Sequence, residues 1–348
     1  MRIWFTKGLS NTGEAIALMR ADPAARDLMF MASHVDADNP VREFADIFLE
    51  EPKTLQGVAY ADWVLDWAVR KNIALVVVQR RANSLWDARH KFDAHGIRLQ
   101  IAASREVRAI IDSKIAFQSD IAAPEVVREG VIGHPAFPFR TLAEFDKAWS
   151  EMTAAGLAHD GLCAKPSQSI FGAGFRRIEE GSDELARILS SDPDAAFRIS
   201  LEAYRAALAG AVAPVQQLLM PFLPGNERSV DFVARDGQLL CAVVRMKMGK
   251  VQLLETSGPS VEMARVLAKR YCLNGLCNLQ TREDGAGREA VLEINPRMSG
   301  GMAMACLAGV NLPLLSVLMS LGRDLSGFGF PVGGQRVQFQ QIARVVPI

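Results

Sequence analysis

The chain has 348 residues, with 39 basic and 39 acidic side chains and a formal net charge of zero. That length can bury a large core in two or three structural units, and the charge balance argues against a general nucleic-acid or membrane-surface binder. The five cysteines, Cys163, Cys241, Cys272, Cys277 and Cys306, form no CxxC pair, which reads as reduced, mostly buried thiols in a cytoplasmic protein.

Strands and helices alternate over the first hundred residues. Arg2–Thr6 is apolar and β-rich, and as a short charged strand it does not read as a secretory segment. Gly13–Arg20 has helical spacing, Leu28–Ser33 is a strand, Tyr60–Lys71 an amphipathic helix, and Ala74–Val78 a near-continuous apolar strand. Leu85–His95 is helical and Ile97–Ile101 is another strand. This alternation predicts a mononucleotide-like α/β domain with a parallel sheet over residues 1–103.

The pattern then changes to α+β. Ser104–Ser119 reads as one helix with Ser104 as N-cap, and Leu142–Ala155 as another, entered through a Thr141/Glu144 capping box. Gly161–Lys165, Gln217–Phe222, Ser229–Ala234, Leu239–Met246, Leu276–Thr281 and Glu289–Asn295 are candidate strands. Asp236-Gly237 is a hairpin turn, and Glu283–Gly287 a looser one. Regions 104–215 and 216–348 are the expected second and third divisions. Met298–Gly322 holds no charged residue. Gly309, Asn311 and Pro313 interrupt it, so two buried helices fit better than a membrane span.

The chemistry concentrates at Val-Leu-Glu-Ile-Asn-Pro-Arg-Met-Ser-Gly-Gly, residues 291–301. Strand side chains alternate faces. Glu293, Asn295 and, if the chain stays extended through Pro296, Arg297 then share one face. A carboxylate and an amide oxygen suit a hard cation, and a guanidinium suits a phosphate. In the preceding strand Asn278 and Gln280 share a face; in a symmetric hairpin Gln280 lies opposite Glu293.

Lys165 ends an apolar strand and is followed by a small-residue loop with Gly172 and Gly174, whose amides can wrap phosphate oxygens. No GxxxxGK[ST] motif occurs. A proline-framed hinge, Met220-Pro221-Phe222-Leu223-Pro224-Gly225-Asn226-Glu227, follows. Its backbone could read an adenine edge, and Glu227 could accept from ribose hydroxyls. Arg245 and Lys247 share a strand face and could clamp a substrate carboxylate. Ser299, Gly300 and Gly301 open a helix that could offer amides to an anion. None of His34, His90, His95, His134 and His159 forms a metal-spaced pair.

In that order, a lysine with a glycine loop, a hinge with a glutamate and Gln280 followed by Glu-x-Asn-Pro-Arg-x-Ser-Gly-Gly resemble the ATP-grasp family. The resemblance is to its carbamoyl-phosphate-synthase-like branch and, within it, to proteins associated with tellurite-resistance (Ter) operons. The opening MRIWFTK, Lys165-Pro166 with Gly172-x-Gly-Phe175, and Cys306-Leu-Ala-Gly-Val-Asn-Leu-Pro313 carry the latter.

The resemblance implies an ATP-grasp fold preceded by a pre-ATP-grasp α/β domain. It implies ATP with Mg²⁺, or Mn²⁺ as an alternative, held by Gln280, Glu293 and Asn295. Lys114 and Lys165 become nucleotide lysines, and residues 167–174, including Ser167 and Ser169, the loop over the phosphates. The Pro221 carbonyl and Leu223 amide read adenine, Glu227 holds ribose, and Arg297 faces the transferring phosphate. The implied reaction joins a small carboxylate to an amine through an acyl phosphate, with homodimerisation a family-level expectation. A nucleotide-binding regulatory protein and a kinase releasing a phosphorylated product are the alternatives. Met220 stands where many relatives carry a glutamate, which removes one adenine contact.

Overall fold

The computed structural model describes residues 1–8, 11–167 and 173–340. The chain divides into two compact units, one of residues 1–108, 227–280 and 294–348, the other of 109–226 and 281–293.

In the first unit, β1 (Arg2–Phe5), β2 (Met29–His34), β3 (Ile47–Glu50), β4 (Ile73–Val77) and β5 (Arg98–Gln100) form a parallel sheet in the order β3-β2-β1-β4-β5. Alternation decides what each face meets. Ile3, Phe5, Phe30, Ala32 and Leu75 enter one core, while Trp4, Met31 and Val76 enter another with Tyr60, Val64 and Phe92. Helices Thr12–Arg20 and Gly57–Arg70 follow the expected apolar stripes. Leu85–His95 is instead two short helices, Ala82–Asp87 and Arg89–Ala94, broken at Ala88. The edge strand β3 escapes sequence reading because an edge strand has one neighbour and weak alternation.

In the second unit, β6 (Phe137–Phe139), β7 (Leu162–Pro166), β8 (Arg176–Glu179), β9 (Arg198–Ser200) and β10 (Gln217–Pro221) form a sheet in the order β6-β10-β7-β8-β9. Its pairs are antiparallel except β8 with β9. Helix Leu142–Ala154 starts at the expected capping box. It buries Phe145 and Met152 against Leu162, Ala164, Ile178, Tyr204 and Leu219. The single helix expected over Ser104–Ser119 is two, Arg105–Ile111 and Lys114–Ile121. Ser113 breaks it, because its hydroxyl accepts from the Ala116 amide at 3.3 Å and starts a new helix.

The third sheet runs β15-β14-β11-β12-β13-β16. It comprises β11 (Glu227–Arg235), β12 (Gln238–Met248), β13 (Val251–Glu255), β14 (Gly275–Glu283), β15 (Glu289–Asn295) and β16 (Arg336–Val337). Strands β14 and β15 each run from one unit into the other. The uncharged stretch Met298–Gly322 forms two buried helices, Met302–Cys306 and Leu312–Ser320, that share a core with the parallel sheet. Among the described residues no helix is long and apolar enough to cross a membrane.

The β11–β12 turn takes φ of 47° at Asp236 and 83° at Gly237, as an Asp-Gly hairpin requires. A β-carbon on Gly237 would lie 3.2 Å from the Lys269 Cα. Gly237→Ala is expected to cost about 1–2 kcal/mol. Urea unfolding checks this, and an unchanged midpoint would mean that the turn relaxes.

Candidate functional site

Strand β7 separates core from chemistry by alternation. Leu162 and Ala164 face the helices. Cys163 and Lys165 face the other way, paired in register with Met220 and Leu218 of β10. Cys163, Leu218 and Met220 form a small apolar floor with Ile115, Ala136, Phe175 and Phe222. The Arg177 guanidinium lies 4.4 Å from the Phe222 ring centroid. Lys165 therefore stands at the edge of an apolar surface that sequence reasoning did not assemble, although the alternation in residues 162–165 and 218–221 contains it.

Burial lowers the Lys165 proton affinity, and the Lys114 charge lowers it further. Glu293 acts in the opposite direction. Two charged residues singled out from the sequence, Lys114 and Glu293, thus act on a third, Lys165, within the second unit. Lys114 is there because the break at Ser113 makes it the first residue of helix Lys114–Ile121. His134, assigned no role from sequence, is buried beside this group. Burial and then the Lys165 charge push its ring down to about 4, so it is neutral near pH 7.

At the hinge, the Pro221 carbonyl accepts from the Cys163 thiol at 3.6 Å, and Leu223 is buried. Met220 is also buried, so it offers the floor an apolar surface. The Ser167 amide donates to the Gln216 carbonyl at 2.9 Å, extending the β7–β10 pairing. Gly174 has φ 79°, and a β-carbon there would meet Pro166 Cγ at 2.7 Å, so glycine is required. Ser169 and Gly172 lie outside the described residues.

The first unit holds the other candidates. Pro296 does not keep the chain extended. The Arg297 amide donates to the Asn295 carbonyl at 2.8 Å, a three-residue turn. The guanidinium nevertheless returns to Asn295, with Nη2 donating to Oδ1 at 3.0 Å. Gln280 is half-buried on β14. Glu227, proposed for ribose, is ion-paired with Lys247, so this lysine also has a partner besides any substrate.

Arg245 does not present an open clamp. It is 3% exposed. Its Nε donates to Asp231 Oδ2 at 2.8 Å, Nη1 to Gln252 at 2.9 Å, and Nη2 to Ser229 at 2.9 Å and Ser299 at 3.0 Å. Asp231, itself fully buried, also accepts from Asn278 Nδ2 at 3.0 Å. Ser299 is thus an anchor for this network, and its carbonyl accepts from the Asn11 amide. Gly301 passes so close that a β-carbon would collide with the Arg245 guanidinium, whereas Gly300 has open space. Asp231, an acid alternating with Ser229 in an apolar strand, was the sequence signal for this network.

The proposed metal set of Gln280, Glu293 and Asn295 offers one carboxylate and two amide oxygens, hard donors that fit Mg²⁺ or Mn²⁺. Asn295 Oδ1 accepts from Arg297 Nη2 at 3.0 Å. Among the described residues no three of His, Cys, Asp and Glu gather into a metal group.

Residues 213–345 match the family described as ATP-grasp in the biosynthetic pathway with Ter operon. Fold similarity extends over the whole chain. An N5-carboxyaminoimidazole ribonucleotide synthetase in complex with ADP superposes with TM-score 0.65 at 12% identity, covering 96% of this chain and 80% of that one. The chain has an ATP-grasp fold. The Thermus thermophilus synthetase of the same name matches this chain with TM-score 0.61 at 14% identity, covering 97% and 81% of the two chains. The biotin carboxylase domain of the Hydrogenobacter thermophilus 2-oxoglutarate carboxylase, a dimer with MgADP, ADP and bicarbonate, matches with TM-score 0.60 at 14% identity, covering 93% and 70%. No curated protein sequence matches it.

Two outcomes test the local chemistry. Asp231→Ala leaves the Arg245 charge buried without its carboxylate and is expected to cost about 3–5 kcal/mol in chemical unfolding. Because the Lys165 pKa is lowered, its amine becomes neutral at lower pH than an exposed lysine. Glu293→Gln removes the one raising carboxylate and should move Lys165 further down, while Lys114→Met should move it up. Titration of the labelled lysine by ¹³C NMR reads both, and opposite signs would break the charge assignment.

Proposed function

We propose that this chain is an ATP-dependent carboxylate–amine ligase. It would activate a small carboxylate as an acyl phosphate and release ADP. The observation that carries this reading is the placement of Lys165 beside an apolar sheet face, within the electrostatic reach of Lys114 and Glu293, in an ATP-grasp fold.

In this reading the floor of Cys163, Leu218, Met220 and Phe222 receives the adenine ring, whose amino group donates to the Pro221 carbonyl while the Leu223 amide donates to a ring nitrogen. Glu227, shared with Lys247, accepts from ribose. Lys114 and Lys165 hold the phosphates, with the Ser167–Gly174 segment over them. Gln280, Glu293 and Asn295 would hold Mg²⁺, which when bound offsets charge on the phosphates. Arg297, oriented by Asn295, faces the transferring phosphoryl group and its acyl acceptor. An amine then displaces phosphate from the acyl group, with no covalent enzyme intermediate. Such chemistry rests on positioning and electrostatics, which agrees with the histidines forming no catalytic constellation. The dimer described for the carboxylase domain supports extending homodimerisation to this chain.

ADP release with a panel of carboxylates and amines tests the reading. Turnover is expected to require Mg²⁺ and to fall about 10²–10³-fold in Arg297→Ala and Glu293→Gln. ATP binding without turnover across the panel would favour a regulatory protein. A stable phosphorylated product that no amine consumes would favour a kinase.

A further inference from the structure

We propose that the C-terminal edge of the parallel sheet in the first unit binds the phosphate group of a small molecule through Lys7, Arg80 and Arg81. The strand order β3-β2-β1-β4-β5 changes direction between β1 and β4. In open α/β sheets the crevice beyond the strand ends at that switch point takes ligands. Lys7 follows β1, and Arg80 and Arg81 follow β4. The two strand ends are knitted together: the Thr6 amide donates to the Val77 carbonyl at 3.2 Å, and the Gln79 amide donates to Thr6 Oγ1 at 3.4 Å.

The edge is built around one buried carboxylate that is already engaged. Glu51 is fully buried. Its Oε1 accepts from the Lys7 backbone amide at 2.6 Å and the Ser33 hydroxyl at 2.7 Å, and its Oε2 from the Tyr60 hydroxyl at 3.2 Å. The Tyr60 ring in turn carries the Arg81 guanidinium, 4.6 Å from its centroid. Arg81 adopts φ of 55°, a left-handed conformation costly for a side chain of this size. Its Nη1 is buried and meets no acceptor. A buried, charged donor without an acceptor costs free energy that an arriving anion recovers.

Charge points to a dianion. Lys7, Lys53, Arg80 and Arg81 form no ion pair among the described residues, and Glu51 is the acid among them. Burial and the charges of Arg80, Arg81 and Lys53 lower the Lys7 proton affinity, while Glu51 raises it. A phosphoryl dianion offsets several such positive charges more fully than a single carboxylate does, and the planar Arg81 fork suits its oxygens. Helix Thr12–Arg20 also begins at this edge, and Asn11 at its N-cap turns its side chain to Ser299 instead of capping it.

None of these residues belongs to the proposed nucleotide set, so the two readings fail separately. Calorimetric titration of the full chain without nucleotide, using inorganic phosphate and glycerol 3-phosphate with acetate as comparison, tests the proposal. Saturable binding of a phosphate ligand is expected. It should weaken roughly tenfold or more in Arg81→Gln and in Lys7→Gln. Arg80→Gln, at an exposed residue, repeats the test without disturbing the core, and circular dichroism confirms that each variant is folded. Absence of saturable phosphate binding, binding unchanged in all three edge variants, or acetate binding as tight as phosphate would each overturn the proposal.

Discussion

The Arg245–Asp231 ion pair is the interaction on which the first unit's chemistry depends. Two opposite charges lie almost entirely out of water, and their desolvation is offset only because Ser229, Gln252, Asn278 and Ser299 complete the hydrogen bonding. Through these partners one guanidinium ties β11, β12, β13 and β14 to the segment that follows Arg297. Ser299 then passes the tie through its carbonyl to Asn11 at the head of the first helix. The turn that carries Asn295 and Arg297 is therefore anchored a few residues away on a network that cannot slip without exposing a charge.

The second unit solves a different problem, how to keep a lysine useful inside a partly apolar surface. Burial and Lys114 disfavour its charged form, and Glu293 restores part of the balance. A ligand phosphate would complete what Glu293 begins. The same logic operates at the edge of the parallel sheet, where Glu51 is already committed to three donors and the cations above it lack a carboxylate. In both places the protein accumulates positive charge around one acid, and an anionic ligand is the natural counterpart.

Much of this was legible in the chain. The period-two alternation of β7, β10 and β11, the Asp236-Gly237 turn and the Thr141/Glu144 capping box are local features whose physics acts within a few residues. The interruptions at Gly309 and Pro313 likewise distinguished two buried helices from a membrane span. Other readings failed where local rules compete. Ser113 caps a helix that periodicity alone would run straight through, and Pro296 bends a strand end that alternation alone would extend. Arg245 reads as a solvent-facing clamp until its strand is placed beside Asp231.

The sequence by itself determined the element types, the family resemblance and the residue kinds suited to a nucleotide and a hard cation, because spacing along a chain controls which side chains share a face. Tertiary structure decided how those side chains are used. Whether a guanidinium is spent on Asp231 or laid over Tyr60 with one nitrogen unsatisfied depends on which distant strands and loops pack against it. Strand pairing and burial set those contacts, and no local pattern encodes them.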